Sequence, residues 1–127
     1  MTTTPTRTTD AIRNFILLLA GVIGCAGVAL AAAATHGGDA HYFGAASTMS
    51  LAHAPALLAI YAGYDRFRTA PAAGLVLGLG TLLFGGDLIY RHFHDTGLFP
   101  LAAPIGGFAM MAGWILAGLG AFLAVRR

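Results

Sequence analysis

The sequence predicts an all-α membrane protein, a four-helix transmembrane bundle running up-down-up-down with both termini in the cytoplasm. Three observations carry this. The 127-residue chain is 57% hydrophobic and only 9% charged, where soluble domains carry about a quarter charged residues. Uncharged stretches near the ~20 residues needed to cross a ~30 Å hydrocarbon core recur along it. The arginines fall almost entirely on one side of those stretches.

In chain order, residues 1–13 are Thr-rich without an apolar pattern and are expected as a frayed tail. Residues 14–127 then form one domain, with spans at about 15–35, 43–64, 70–90 and 101–125. Lipid offers no partner to an open backbone, so each span must be helical. The first, from Phe15, is too long for a signal-peptide core and right for a crossing. Val22-Ile23-Gly24-Cys25 reads like a lipoprotein processing box, but GVALAAAA follows where a polar tether is needed. Cys25, the single cysteine, is therefore expected as a small buried packing residue.

Arg7 and Arg13 precede the first span, Arg66 and Arg68 link the second to the third, and Arg126 and Arg127 close the chain; only Arg91 falls on the other side. The positive-inside rule then places both termini in the cytoplasm of a bacterial inner (plasma) membrane protein. The short links make neighbouring spans antiparallel. Gly21, Gly24 and Gly27, the pair Gly74 and Gly78, and Gly113 with Ala117 offer small-residue surfaces for close helix packing, within the monomer or across a dimer. The scattered arginines form no basic stripe, so nucleic acid is not an expected partner. Expected partners are membrane lipids, with a second copy or another membrane protein as alternatives.

Four stretches carry a family resemblance: ATHGGDAH from Ala34, LAHAPALLA from Leu51, LFGGDLIY from Leu83 and LFPLAAPIGGFAMMAGWIL from Leu98. Their order and spacing resemble the small bacterial membrane proteins catalogued as domain of unknown function 423, relatives of transmembrane protein 256. The resemblance implies a four-span inner-membrane protein and no particular reaction. The chain departs from the family pattern at Ala33-Ala34-Thr35-His36-Gly37, where Gly-Ala-His-Gly is common, and at Asp87, where serine is frequent. A role built on Asp87 would thus belong to a subset of the family.

The residues that could carry chemistry are few. His53 falls near the middle of the second span, two residues before Pro55, which frees the carbonyl of Leu51. An ionisable group at that depth is costly unless it faces protein or water. It either locks the bundle through a backbone carbonyl on a neighbouring helix or serves as a proton relay, haem ligand or solute site. Asp87 lies about one turn inside the outer end of the third span. Arg91 stands at i+4, close enough to pair with it and snorkel outward. The alternative partners are His36 and His53, and a hairpin turning near Phe67 to Pro71 would set His53 level with Gly85. His36, His41, His92 and His94, with Asp39 and Asp95, fall on the outer loops or their edges. They are weak metal candidates, because imidazole and carboxylate suit zinc, copper or nickel but the spacing is loose.

Phe99 to Gly107 contains Pro100, Pro104, Gly106 and Gly107. It is either a capped helix start with Pro104 in the first turn or one wall of an outward pocket shared with His36, Asp87 and Tyr90. Pro55, Pro104, Gly106, Gly107 and Trp114 are read as structural. Ser47, Thr48 and Ser50 are expected to bond backbone or neighbouring helices. No nucleophile–base pair or phosphate loop is visible, so neither catalysis nor a cofactor is expected. The leading expectation is a non-enzymatic membrane protein acting through lipid or partner packing. A proton or solute translocator using His53 and Asp87 is the alternative, and metal binding at the outer rim the third.

Overall fold

The structure, a computed structural model, describes residues 7–123 and 125. The expected tail at 1–6, position 124 and the closing Arg126 and Arg127 lie outside the described residues. Four helices are long and apolar enough to cross a membrane: α1 (Arg7–His36), α2 (Ala40–Ala62), α3 (Ala70–His94) and α4 (Ala102–Leu119). A short 3-10 turn, Tyr64–Arg66, sits between α2 and α3.

Small residues set the packing. Gly24 faces Ala54, and Gly27 faces Ser50 and Leu51, so contacts ascend α1 as they descend α2. Gly74 receives Ile16 and Ile60, and Gly78 receives Leu19 and Leu57. The third helix therefore lies against both α1 and α2. The α3–α4 crossing is closest of all. A Cβ on Gly106 would stand 2.7 Å from the Phe84 nitrogen and 2.9 Å from the Gly80 oxygen, backbone against backbone. Only glycine permits that approach, which gives α4 its dispersion contact with α3 in a solvent that supplies no hydrophobic drive.

The core gathers Ile16, Leu19, Ala20 and Ile23 of α1, Ala54, Leu57 and Ile60 of α2, Ala70, Ala73 and Leu77 of α3, and Met110 of α4. Large apolar side chains such as Leu18, Val28, Phe108 and Ile115 stay exposed. In water such a surface would aggregate; in a bilayer it is the lipid contact. Cys25 is exposed too, not a packing residue as expected, and Gly21 has nothing within 4 Å of a built Cβ, so it takes no part in the α1–α2 seam.

Four element boundaries differ from expectation. The first helix starts at Arg7, inside the segment expected to fray. Ile12 packs on the core, while Arg13 pairs with Asp65 at 3.6 Å and lies 4.8 Å from the centre of the Tyr61 ring. These contacts hold the extra turns. At the end of the bundle that carries the α1–α2 and α3–α4 loops, α3 runs on to His94 and α2 begins at Ala40, so His41, His92 and His94 are helical, not loop residues. The fourth helix ends at Leu119 instead of near 125. There the bonds tighten to i→i+3 spacing, Gly120 to Ala117 and Ala121 to Gly118, both 3.1 Å, as glycine-rich ends allow.

The turns follow from single residues. Gly38 takes φ +86, a left-handed conformation that costs glycine little. Asp39 then caps α2, its carboxylate accepting the Tyr42 N–H at 3.2 Å. Pro71 sits in the first turn of α3, where a missing N–H does no harm. Pro104 likewise lies in the first turn of α4, so Phe99 to Gly107 holds a helix start after Leu101 at φ 66, though Leu101 supplies no side-chain cap.

Candidate functional site

Two polar centres are built into the apolar bundle. The deeper one joins α2 to α4. His53 is 6% exposed. Its Nδ1 lies 2.7 Å from the Met49 carbonyl, and the Trp114 indole N–H donates to its Nε2 at 3.1 Å. An indole nitrogen can only donate, so Nε2 must accept and Nδ1 carries the ring proton. Both nitrogens of a neutral imidazole are thereby engaged. The lock uses a carbonyl of His53's own helix, and the neighbouring helix supplies a donor instead. Pro55, two residues on, is exposed.

Around this bond α2 and α4 leave open grooves. One, of about 380 Å³, is lined by Met49, His53, Phe84, Gly107, Met110, Met111 and Trp114. The other, about 240 Å³, lies beyond Trp114 against Ala56, Ile60, Phe67 and Ala117. Gly107, read as structural, opens onto the first groove, with nothing within 4 Å of a built Cβ.

The second centre is at the rim. Asp87 is fully buried, its Oδ2 accepting from Arg91 Nε and its Oδ1 from the Leu98 N–H, both at 2.8 Å. The Ala103 amide, in the first turn of α4, faces the same carboxylate. One side chain thus holds the end of α3, the loop and the start of α4. Asp87 pairs with Arg91, and with neither His36 nor His53. The α2–α3 register explains this: Leu57 lies opposite Gly78 and Ser50 nearest Gly85, so His53 sits about one turn deeper than the expected hairpin placed it.

The remaining rim residues scatter. His36 ends α1 and is exposed. His92 Nδ1 contacts Asp39 Oδ2 at 2.6 Å, and its ring lies 4.4 Å from Phe43. That hydrogen bond, with the Tyr42 N–H, holds the Asp39 carboxyl below its ordinary value. His94 stacks on Tyr90 at 4.1 Å, and His41 packs on Tyr42. Of the residues named with the pocket wall, Asp87 is fully buried, Tyr90 stacks on His94 and His36 is exposed at the end of α1. Among the described residues no three His, Cys, Asp or Glu side chains converge as a metal site. Ser47 donates to the Gly27 carbonyl on α1, and Thr48 and Thr81 donate to carbonyls of their own helices.

A family model described as protein of unknown function (DUF423) matches residues 29–107, more than half of the chain. The chain belongs to the DUF423 family. The matched stretch takes in His53, Asp87, Arg91, the Asp39–His92 pair and the Gly106 crossing, and stops short of Trp114. The family description states no activity for DUF423 proteins. No curated protein and no solved structure matches the chain.

Sequence reading missed two elements of the site. Asp39 counted only as a rim carboxylate, although an aspartate directly before a helix is a legible N-cap. The Trp114 bond and the Met49, Phe84, Met110 and Met111 groove depend on the α2–α3–α4 register, for which no local pattern exists.

Proposed function

We propose that this DUF423 protein is a non-enzymatic, multi-pass inner-membrane protein that works through lateral contacts with lipids or membrane partners and does not move a solute. It crosses the bilayer up-down-up-down with both termini cytoplasmic. One observation carries the functional reading: the buried histidine and aspartate within the spans are already engaged by the chain itself, Asp87 by Arg91 and Leu98, His53 by Met49 and Trp114. A relay needs a group free to change partners along a wet path, whereas here each side chain closes a contact between elements. The exposed apolar flanks fit a molecule whose working surface is its side. The orientation is supported by Arg7, Arg13, Arg66 and Arg68 at one end of the bundle against Arg91 at the other.

The test is flux in reconstituted vesicles under an imposed proton gradient and membrane potential. Protein-loaded vesicles are expected to leak no faster than empty ones, with Asp87→Asn and His53→Ala unchanged. A protein-dependent flux abolished by either substitution in a folded protein would replace this reading with the translocator. For orientation, Thr96→Cys in a Cys25→Ser background should label from outside intact cells, and Arg68→Cys only after permeabilisation.

A further inference from the structure

We propose that the larger α2–α4 groove binds a membrane-dissolved phenol or quinol whose hydroxyl inserts between Trp114 and His53. This rests on the lateral-contact reading and goes past it by naming a ligand chemistry.

The groove's size, about 380 Å³, falls within the range of small-molecule sites. Met111 and Trp114 are 53% and 52% exposed, so its mouth faces the lipid and a bilayer-soluble molecule enters directly. The only nitrogen or oxygen atoms on its lining side chains belong to His53 and Trp114, a matched acceptor and donor 3.1 Å apart. That pairing selects the ligand's polar group. A carbonyl or ether could accept from Trp114 but would strand His53 Nε2. A hydroxyl accepts from the indole and donates to the imidazole, and neither protein group is left unsatisfied.

The apolar part is selected as well. Phe84 and Trp114 offer aromatic faces, and Met49, Met110 and Met111 offer polarisable sulfur, both suited to an aromatic ring over a saturated chain. Gly107 leaves open the space that a side chain would fill. His53 is held from behind by Met49 while half-exposed Trp114 has room to yield, so the bond can open on one side to admit the ligand.

Trp114 is the sole tryptophan, so in vesicles free of other protein its tryptophan emission reports on this site alone. The full chain in lipid vesicles would be titrated with a long-chain 4-alkylphenol, its methyl ether and the parent alkylbenzene, exciting where these do not absorb. The phenol should shift Trp114 emission saturably, and the ether should bind about tenfold more weakly or worse, the equivalent of one lost hydrogen bond. His53→Phe should bring the phenol down to the ether's affinity. Gly107→Leu, which fills the groove without touching the polar pair, should abolish saturation with helicity unchanged, and it carries the test should His53→Phe fail to fold. Equal binding of all three probes would make the groove a slot for any apolar chain, and absence of saturation would leave no site; either overturns the proposal. Neither depends on the vesicle flux assay, so the two readings fail separately.

Discussion

The Trp114 indole and the His53 imidazole, 61 residues apart in sequence, share a 3.1 Å hydrogen bond that ties α4 to α2 across α3. Interhelical hydrogen bonds in bilayers average about 0.6 kcal/mol in double-mutant cycles. A cycle of Trp114→Phe and His53→Ala, read by reversible unfolding in mixed micelles, should return a coupling of about that size. Trp114→Phe alone should cost more, because it also gives up indole packing, which cancels in the cycle. Strictly additive effects would mean that the bond contributes nothing.

Asp87 holds the Arg91 guanidinium and the Leu98 amide in one buried carboxylate. Asp87→Leu should destabilise by about 1–3 kcal/mol, mainly through the stranded amide, since Arg91 is one-third exposed and can turn to the interface. Asp87→Asn should cost less, because its amide oxygen still accepts from Leu98. Limited proteolysis of the α3–α4 loop would read the difference: cleavage should rise steeply in the leucine variant and slightly in the asparagine one. Equal cleavage in both would show that the loop does not depend on this acceptor.

Adjacent glycines should behave oppositely. Gly106→Ala places a methyl against the backbone of Phe84 and Gly80, where neither side can yield. It should cost on the order of 1–3 kcal/mol, the overpacking range. Gly107→Ala points into open space and should be neutral or stabilising by up to about 1 kcal/mol from helix propensity. Comparing their thermal midpoints in detergent checks the crossing, and equal midpoints would place it elsewhere.

The Asp39–His92 contact predicts an acid-sensitive latch. The Asp39 carboxyl lies below its ordinary value of 3.8 in the folded protein, so near that pH the unfolded chain binds more protons and stability rises with pH. The contribution is complete above the ordinary value and lost as pH falls through the depressed one. Wild type should therefore exceed Asp39→Asn in stability at neutral pH, with the gap closing below about pH 4. A gap independent of pH would show that the carboxylate charge plays no part.

The helices were legible because lipid permits so little else: apolar runs of the right length must be helical. The Asp87–Arg91 pair was legible for a related reason, since both residues sit on one helix at i+4 and its geometry fixes their distance. What escaped depended on two helices at once. Placing His53 level with Gly85 assumed a hairpin turning near Phe67 to Pro71. The 3-10 turn at Tyr64–Arg66 and Ser50 lying nearest Gly85 shift that register by about one helical turn. That is enough to take His53 away from Asp87. Its partner Trp114 lies on a helix whose rotation is set by Gly80 and Gly106, and no pattern within α4 announces it. The rim histidines were misread for want of helix ends, since both adjoining helices outrun the uncharged windows that defined them.

The way α4 is attached has a consequence for biosynthesis. The first two helices share a seam of small residues, and α3 closes on both through Gly74 and Gly78. The fourth leans chiefly on α3, with the Trp114 hydrogen bond, the Asp87 carboxylate and Phe67 near Gly120 among its other ties. As the chain leaves the ribosome, the first three helices can therefore pack on one another before the last is made. Docking of α4 then comes last, and a chain caught before it exposes the face of α3 around Gly80 to any neighbouring helix in the membrane. Quality control in the bilayer would meet that half-assembled form first.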